Sequence, residues 1–118
     1  MNTIPITIDN TGVTIRPAGA AVWLTQHQIA DLFGVFVGKI NANVRAILKS
    51  EVLREEQVSR RRDNGNGCFV TVYNMEMITA LAFRLKSHKA ELFRRWIIRQ
   101  AVNPVILWQI PGMEMMLN

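Results

Sequence analysis

The chain has 118 residues, 49% of them apolar and 19% charged, which fits one ordinary globular domain and excludes an intrinsically disordered protein. Lys and Arg number 14 against 9 Asp and Glu, a net charge of +5. Ten of those cations are Arg, whose forked donors match phosphate oxygens, so the balance favours a polyanionic partner. The single cysteine, Cys68, and the two histidines, His27 and His88, exclude a disulfide framework and a Cys/His metal cluster.

In chain order, Ile4, Ile6 and Ile8 alternate with Pro5 and Thr7, a period of two. Asp9-Asn10-Thr11-Gly12 is turn chemistry and Val13 to Arg16 resumes the extended pattern, so an N-terminal β-hairpin is expected. The stretch from Met1 to Asn10 has neither a basic cluster nor a long apolar run, so no secretory leader is expected. No apolar run reaches the length that spans a bilayer, and a cytoplasmic location is the default expectation.

Pro17 to Ala21 reads as a connection and Val22-Trp23-Leu24 as a short strand or lead-in segment. Thr25 with Gln28 three positions on makes a capping box, and Leu24 and Ile29 flank it at staple spacing. Ile29, Leu32 and Phe33 then form one helical face, and Gly34 stands where a left-handed C-terminal residue is wanted. A second helix is expected over Val37 to Lys49, with Ile40, Val44, Ile47 and Leu48 on one side. Gly38, Ala42, Arg45 and Lys49 share the other side, flanked by Lys39 and Asn41.

Glu51 to Gln57 reads as a turn or short helix. Two strands, Val58 to Arg62 and Cys68 to Tyr73, bracket Asp63-Asn64-Gly65-Asn66-Gly67, whose two Asn-Gly pairs are a strong hairpin signal. Asn74 caps a helix with Met75, Ile78, Leu81, Ala82 and Leu85 on one face. Ser87 caps a last helix whose buried stripe is Leu92, Phe93, Trp96 and Ile97, with Ile98 facing outward and Asn103-Pro104 ending it. This places a domain over residues 1–103 and an apolar, Met-rich tail over 104–118.

Gln26 to Arg45 carries the functional signal. A short helix, a turn at Gly34 and a second helix with an apolar residue six positions later make a helix-turn-helix pattern. Ala30 is small enough for the second helix to cross closely, and Ile40 plugs that helix into the core. Its outward face can then enter a major groove, where Arg forks onto guanine and Asn onto adenine. The alternative is an αα-corner with no ligand. The following hairpin reads as a wing carrying Arg60, Arg61 and Arg62, with Arg60 and Arg62 on one side and Arg61 on the other. It suits phosphate contacts, against the alternative of an edge strand guarded by charge. The expected fold is α+β: a winged helix-turn-helix with an N-terminal β-hairpin, a β-wing and two C-terminal helices. The expected partner is double-stranded DNA, contacted by Gln26, Lys39, Asn41, Ala42, Arg45, Lys49, Arg60, Arg61 and Arg62.

The last two helices are basic too, with Arg84, Lys86, Lys89, Arg94, Arg95 and Arg99 against Glu91, and read mostly as a solvated face. Ile98 with Val105, Leu107, Trp108, Met113 and Met115 suits a homodimer contact through the last helix and tail, or core covered by the tail.

Several stretches resemble the amino-terminal domain of the virulence-associated RhuM family of bacterial proteins. They are Val22 to Gln26, Ile29 to Val35, Ile40 to Ile47, Val72-Tyr73-Asn74 and Phe93-Arg94-Arg95-Trp96, over roughly Ile4 to Val102. The resemblance implies a helix-turn-helix DNA-binding protein of the kind carried on mobile elements, with a regulatory role and often a longer chain. One place departs from the family. Phe36, Val37, Gly38 and Lys39 stand where Ser, a polar or basic residue, Pro and Thr are usual. Helical geometry directs Phe36 and Val37 towards the Ile40 and Val44 side; if they are exposed instead, protein contact is favoured over base reading. The competing expectation is therefore an antitoxin-like or adaptor module, contacting protein through Phe36, Val37 and Ile98.

Catalytic readings find little support. Cys68 has no neighbouring His and reads as a buried, inert thiol. His27 and His88 read as solvated, and the adjacent Glu55 and Glu56 as surface charge. Gly65 to Gly67 is not followed by Lys-Ser or Lys-Thr, so no phosphate loop is present. No enzyme activity, cofactor, metal, membrane partner or small-molecule substrate is expected.

Overall fold

The computed structural model describes residues 4–16 and 21–102, which form an α+β fold of two antiparallel sheets and five helices. The expected tail contacts over 104–118 lie outside the described residues. Strands β1 (Ile6–Asp9) and β2 (Gly12–Ile15) make the expected hairpin, pairing Ile6 with Ile15 and Asp9 with Gly12. In its turn the Thr11 hydroxyl and Thr11 N donate to the Asp9 carboxylate. Those bonds, the hydroxyl's first, hold the Asp9 pKa below its ordinary value.

Strand β3 (Leu24–Thr25) leads into α1 (Gln26–Phe33). The capping box is present: Thr25 N donates to Gln28 Oε1 (2.9 Å) and Gln28 N to Thr25 Oγ1 (3.1 Å). Gly34 ends the helix at φ 67°, in the left-handed region that favours glycine. Three residues later α2 (Val37–Lys49) begins, followed by the single turn α3 (Glu55–Val58). Strands β4 (Ser59–Asp63) and β5 (Phe69–Tyr73) form the second hairpin, in which β5 is central and pairs with β3 on its other edge. Val58, expected to open this hairpin, belongs to α3, and Cys68, expected in the strand, precedes the last pair, Asp63 with Phe69. Cys68 is exposed. The expectation of a buried thiol fails because β5 starts one residue later and leaves Cys68 in the hairpin tip.

Helices α4 (Met75–Ala82) and α5 (His88–Val102) follow, capped by Asn74 and Ser87 as expected: Met77 N donates to Asn74 Oδ1 (3.2 Å) and Ala90 N to Ser87 Oγ (3.1 Å). Leu85, expected on the α4 face, lies just beyond that helix but is buried. The core gathers Ile29 and Phe33 of α1, Ile40, Val44 and Ile47 of α2, Ile78 and Leu81 of α4, and Phe93 of α5. Phe33 and Phe93 meet edge to face at 5.6 Å and 85°, tying α1 to α5. The β1–β2 hairpin packs on α5, where Gly12 lies beside Trp96 and Arg99.

Gly34 is open to solvent, and a Cβ there would meet nothing within 4 Å. The cost of Gly34→Ala is therefore torsional alone. The expected loss is about 1–2 kcal/mol in chemical denaturation, with Gly34→Asn milder because Asn tolerates the left-handed region.

Candidate nucleic-acid interface

Helix α2 buries Ile40, Val44 and Ile47 and half-buries Val37 and Leu48, so the 3.6-residue period turns the remaining arc outward. Gly38, Lys39, Asn41, Ala42, Arg45 and Lys49 are all exposed there. Arg45 and Lys49 stand near the middle of the arc, with Lys39 and Asn41 on opposite flanks. The helix has no acidic residue along its length. Gly38 and Ala42 keep the middle of the face low. Among the described residues the ion pairs are those of Glu91 with His88 and Arg95, so neither Lys39, Arg45 nor Lys49 is neutralised by a carboxylate there.

One cation of the expected solvated face belongs to this surface instead. Arg84, just past α4, donates through Nε to Asn43 Oδ1 (2.9 Å), while Asn43 Nδ2 donates to the Lys39 carbonyl (2.8 Å). Asn43 therefore fixes Arg84 against the Lys39 flank of α2. The two residues are 41 positions apart, and the signal for their meeting is the packing of α4 on α2.

Phe36 corrects the expectation for the start of α2. It is the N-cap residue, supplies no side-chain cap, and is 90% exposed. Helical periodicity does not govern it, because its own backbone is extended (φ −72°, ψ 147°). Val37, inside the helix, does pack against the core as expected. Phe36 borders a shallow depression with Ala30, Val35 and Lys39.

The register of the β4–β5 hairpin places Arg60 opposite Val72, Arg61 opposite Thr71 and Arg62 opposite Val70. Successive side chains alternate, so Arg61 shares the sheet face of the core residues Leu24 and Tyr73, while Arg60 and Arg62 take the other. The Arg60 guanidinium stacks over Trp23 at 4.1 Å, and that of Arg61 over the half-exposed Phe69 ring at 4.9 Å. Stacking leaves the guanidinium edges open to phosphate oxygens while reducing the freedom that binding would otherwise remove. Gln26 is half-buried and donates through Nε2 to Tyr73 Oη (3.3 Å), so it braces α1 against β5. The three hairpin arginines are thus not one cluster: the strand divides them between its faces.

Arg94 stands apart from the other cations of α5. It is half-buried, and its Nη1 donates to the carbonyls of Ala82 (2.7 Å) and Leu85 (2.6 Å) at the end of α4. A cation there satisfies carbonyls that the helix leaves free and complements its dipole. Its expected role as solvated charge gives way to this structural one. His27 and His88 are solvent-exposed, as expected, and Ile98 faces outward. Comparison with protein-family models, curated proteins and solved structures finds no match to this chain.

Arg94→Met should cost roughly 1–3 kcal/mol of stability, because two carbonyls lose a charged donor. Arg95→Met should change stability by less than about 1 kcal/mol, its partner Glu91 being an exposed one. Equal thermal shifts for the two variants would contradict the cap.

Proposed function

We propose that the chain is a DNA-binding regulatory module of winged helix-turn-helix type. In this reading α1 and α2 are the helix-turn-helix, α2 is the recognition helix, and the β4–β5 hairpin is the wing. The observation that carries it is the outer face of α2, with three unneutralised cations, a flanking asparagine, two small residues and no carboxylate. Small side chains allow close approach to a groove floor, Arg45 forks onto guanine, and Asn41 matches adenine. Arg61 and Arg84 supply phosphate contacts that set register without reading sequence. The resemblance to the RhuM amino-terminal domain points the same way.

The test is a duplex titration over a salt series. With Lys39 and Lys49 of α2, Arg61 and Arg84 make about four phosphate contacts, which give a log–log salt slope of roughly −3 to −4. Arg61→Ala should weaken all duplexes alike and flatten the slope by about one unit. Arg45→Ala should instead cost about 1–3 kcal/mol on a selected site and little on random duplex. No gel shift at low salt would overturn the reading.

The exposure of Phe36 favours a second reading, an adaptor or antitoxin-like module whose partner is a protein. The two separate on Phe36→Ser. As a protein-contact anchor, Phe36 should lose about 2 kcal/mol or more of partner affinity on truncation, whereas a DNA module should keep its salt-dependent binding to random duplex.

A further inference from the structure

On another part of the surface, the turn after α2 and one side of α4 leave an apolar depression lined by Val52, Leu53, Met75, Thr79 and Ala80. Val52 is 78% exposed. The depression shares Leu53 with a polar hollow bordered by Glu51, Glu55 and Glu56, and Glu76 stands on its own rim. The two adjoining hollows, joined at Leu53, together carry four of the chain's nine acidic residues, with Arg54 beside them, in a protein of net charge +5. Among the described residues, none of these four carboxylates joins an ion pair. Such a surface repels a polyanion and suits a basic, partly apolar segment.

The chain itself carries that complement. Arg95, Ile98, Arg99 and Val102 recur at i, i+3, i+4 and i+7 on α5, so they form one stripe, and all four are exposed. Ile98 is 49% and Val102 72% exposed, while Phe93 and Trp96 on the other side pack into the core. The pair of Arg95 with Glu91 is exposed at both ends and is easily exchanged for another carboxylate.

We infer that the acidic apolar depression is the docking site for the basic α5 stripe of a second copy of this chain. Val52 and Leu53 receive Ile98 and Val102, and the rim carboxylates receive Arg95 and Arg99. The contact leaves the outer face of α2 uninvolved, so it stands independently of the DNA reading.

Light scattering on the purified chain tests this. At low salt (about 50 mM) the mass should rise above that of one chain as concentration increases, and at about 1 M, where screening is nearly complete, it should return to one chain. The double variants Glu55→Lys/Glu56→Lys and Arg95→Glu/Arg99→Glu should each stay monomeric at low salt, with circular dichroism confirming the fold. Mixed together they should assemble, because both contacts in the mixed pair are again complementary. Val52→Asp, which leaves the rim charges in place, should also lose assembly. A wild-type chain that stays monomeric at low salt, or a mixture that fails to assemble, overturns the inference. So does assembly that survives both charge reversals.

Discussion

One-sided burial of α2 is the constraint on which the rest depends. Ile40, Val44 and Ile47 hold one flank of the helix in the core, and a straight helix with one flank fixed has no freedom in what it shows on the other. Truncating a buried Ile costs about 2–5 kcal/mol, far more than exposed charges on the opposite flank gain or lose. Packing therefore dictates the direction of Lys39, Arg45 and Lys49. The sharp turn at Gly34 and the edge-to-face contact of Phe33 with Phe93 serve the same end, since they hold α1 where α2 can lean on it.

The cations of this chain do unlike jobs, and net charge alone does not sort them. Arg94 is spent inside the fold, closing the end of α4. Arg60 and Arg61 rest on aromatic rings on opposite faces of one hairpin. Arg84 is held to the flank of α2 by Asn43. Meanwhile four carboxylates gather around Val52 and Leu53. Separation of charge onto different surfaces gives a small protein two potentials of opposite sign.

Local rules made much of this legible. The capping box at Thr25 and Gln28, the left-handed Gly34, the β1–β2 turn, the alternation of Arg60 to Arg62 and the bounds of α2 each follow from a few adjacent residues, and each is present. A local rule carried past its own element misleads. Phe36 is a cap residue with extended backbone, so the 3.6-residue period that orients Val37 says nothing of it. Composition places Cys68 in a strand, but the pairing ends at Phe69 and leaves it in the tip. Arg94 and Arg84 find their partners in other elements, at separations of 9, 12 and 41 residues, where periodicity carries no information. The two hairpins and four main helices are readable from short-range pattern, whereas the pairing of β3 with β5, nearly fifty residues apart, and the make-up of the basic surface depend on tertiary contacts.

The central claim is that the outward face of α2 meets a DNA duplex. Its most direct measurement is an amide-by-amide NMR titration of the labelled chain with a short duplex at low salt. The account predicts shift changes concentrated at Gly38, Lys39, Asn41, Ala42 and Arg45, extending to Arg61 and Arg84 and sparing Val52, Leu53 and Met75. Amides of α2 that stay still while the duplex is bound elsewhere, or a spectrum unchanged throughout, would contradict it.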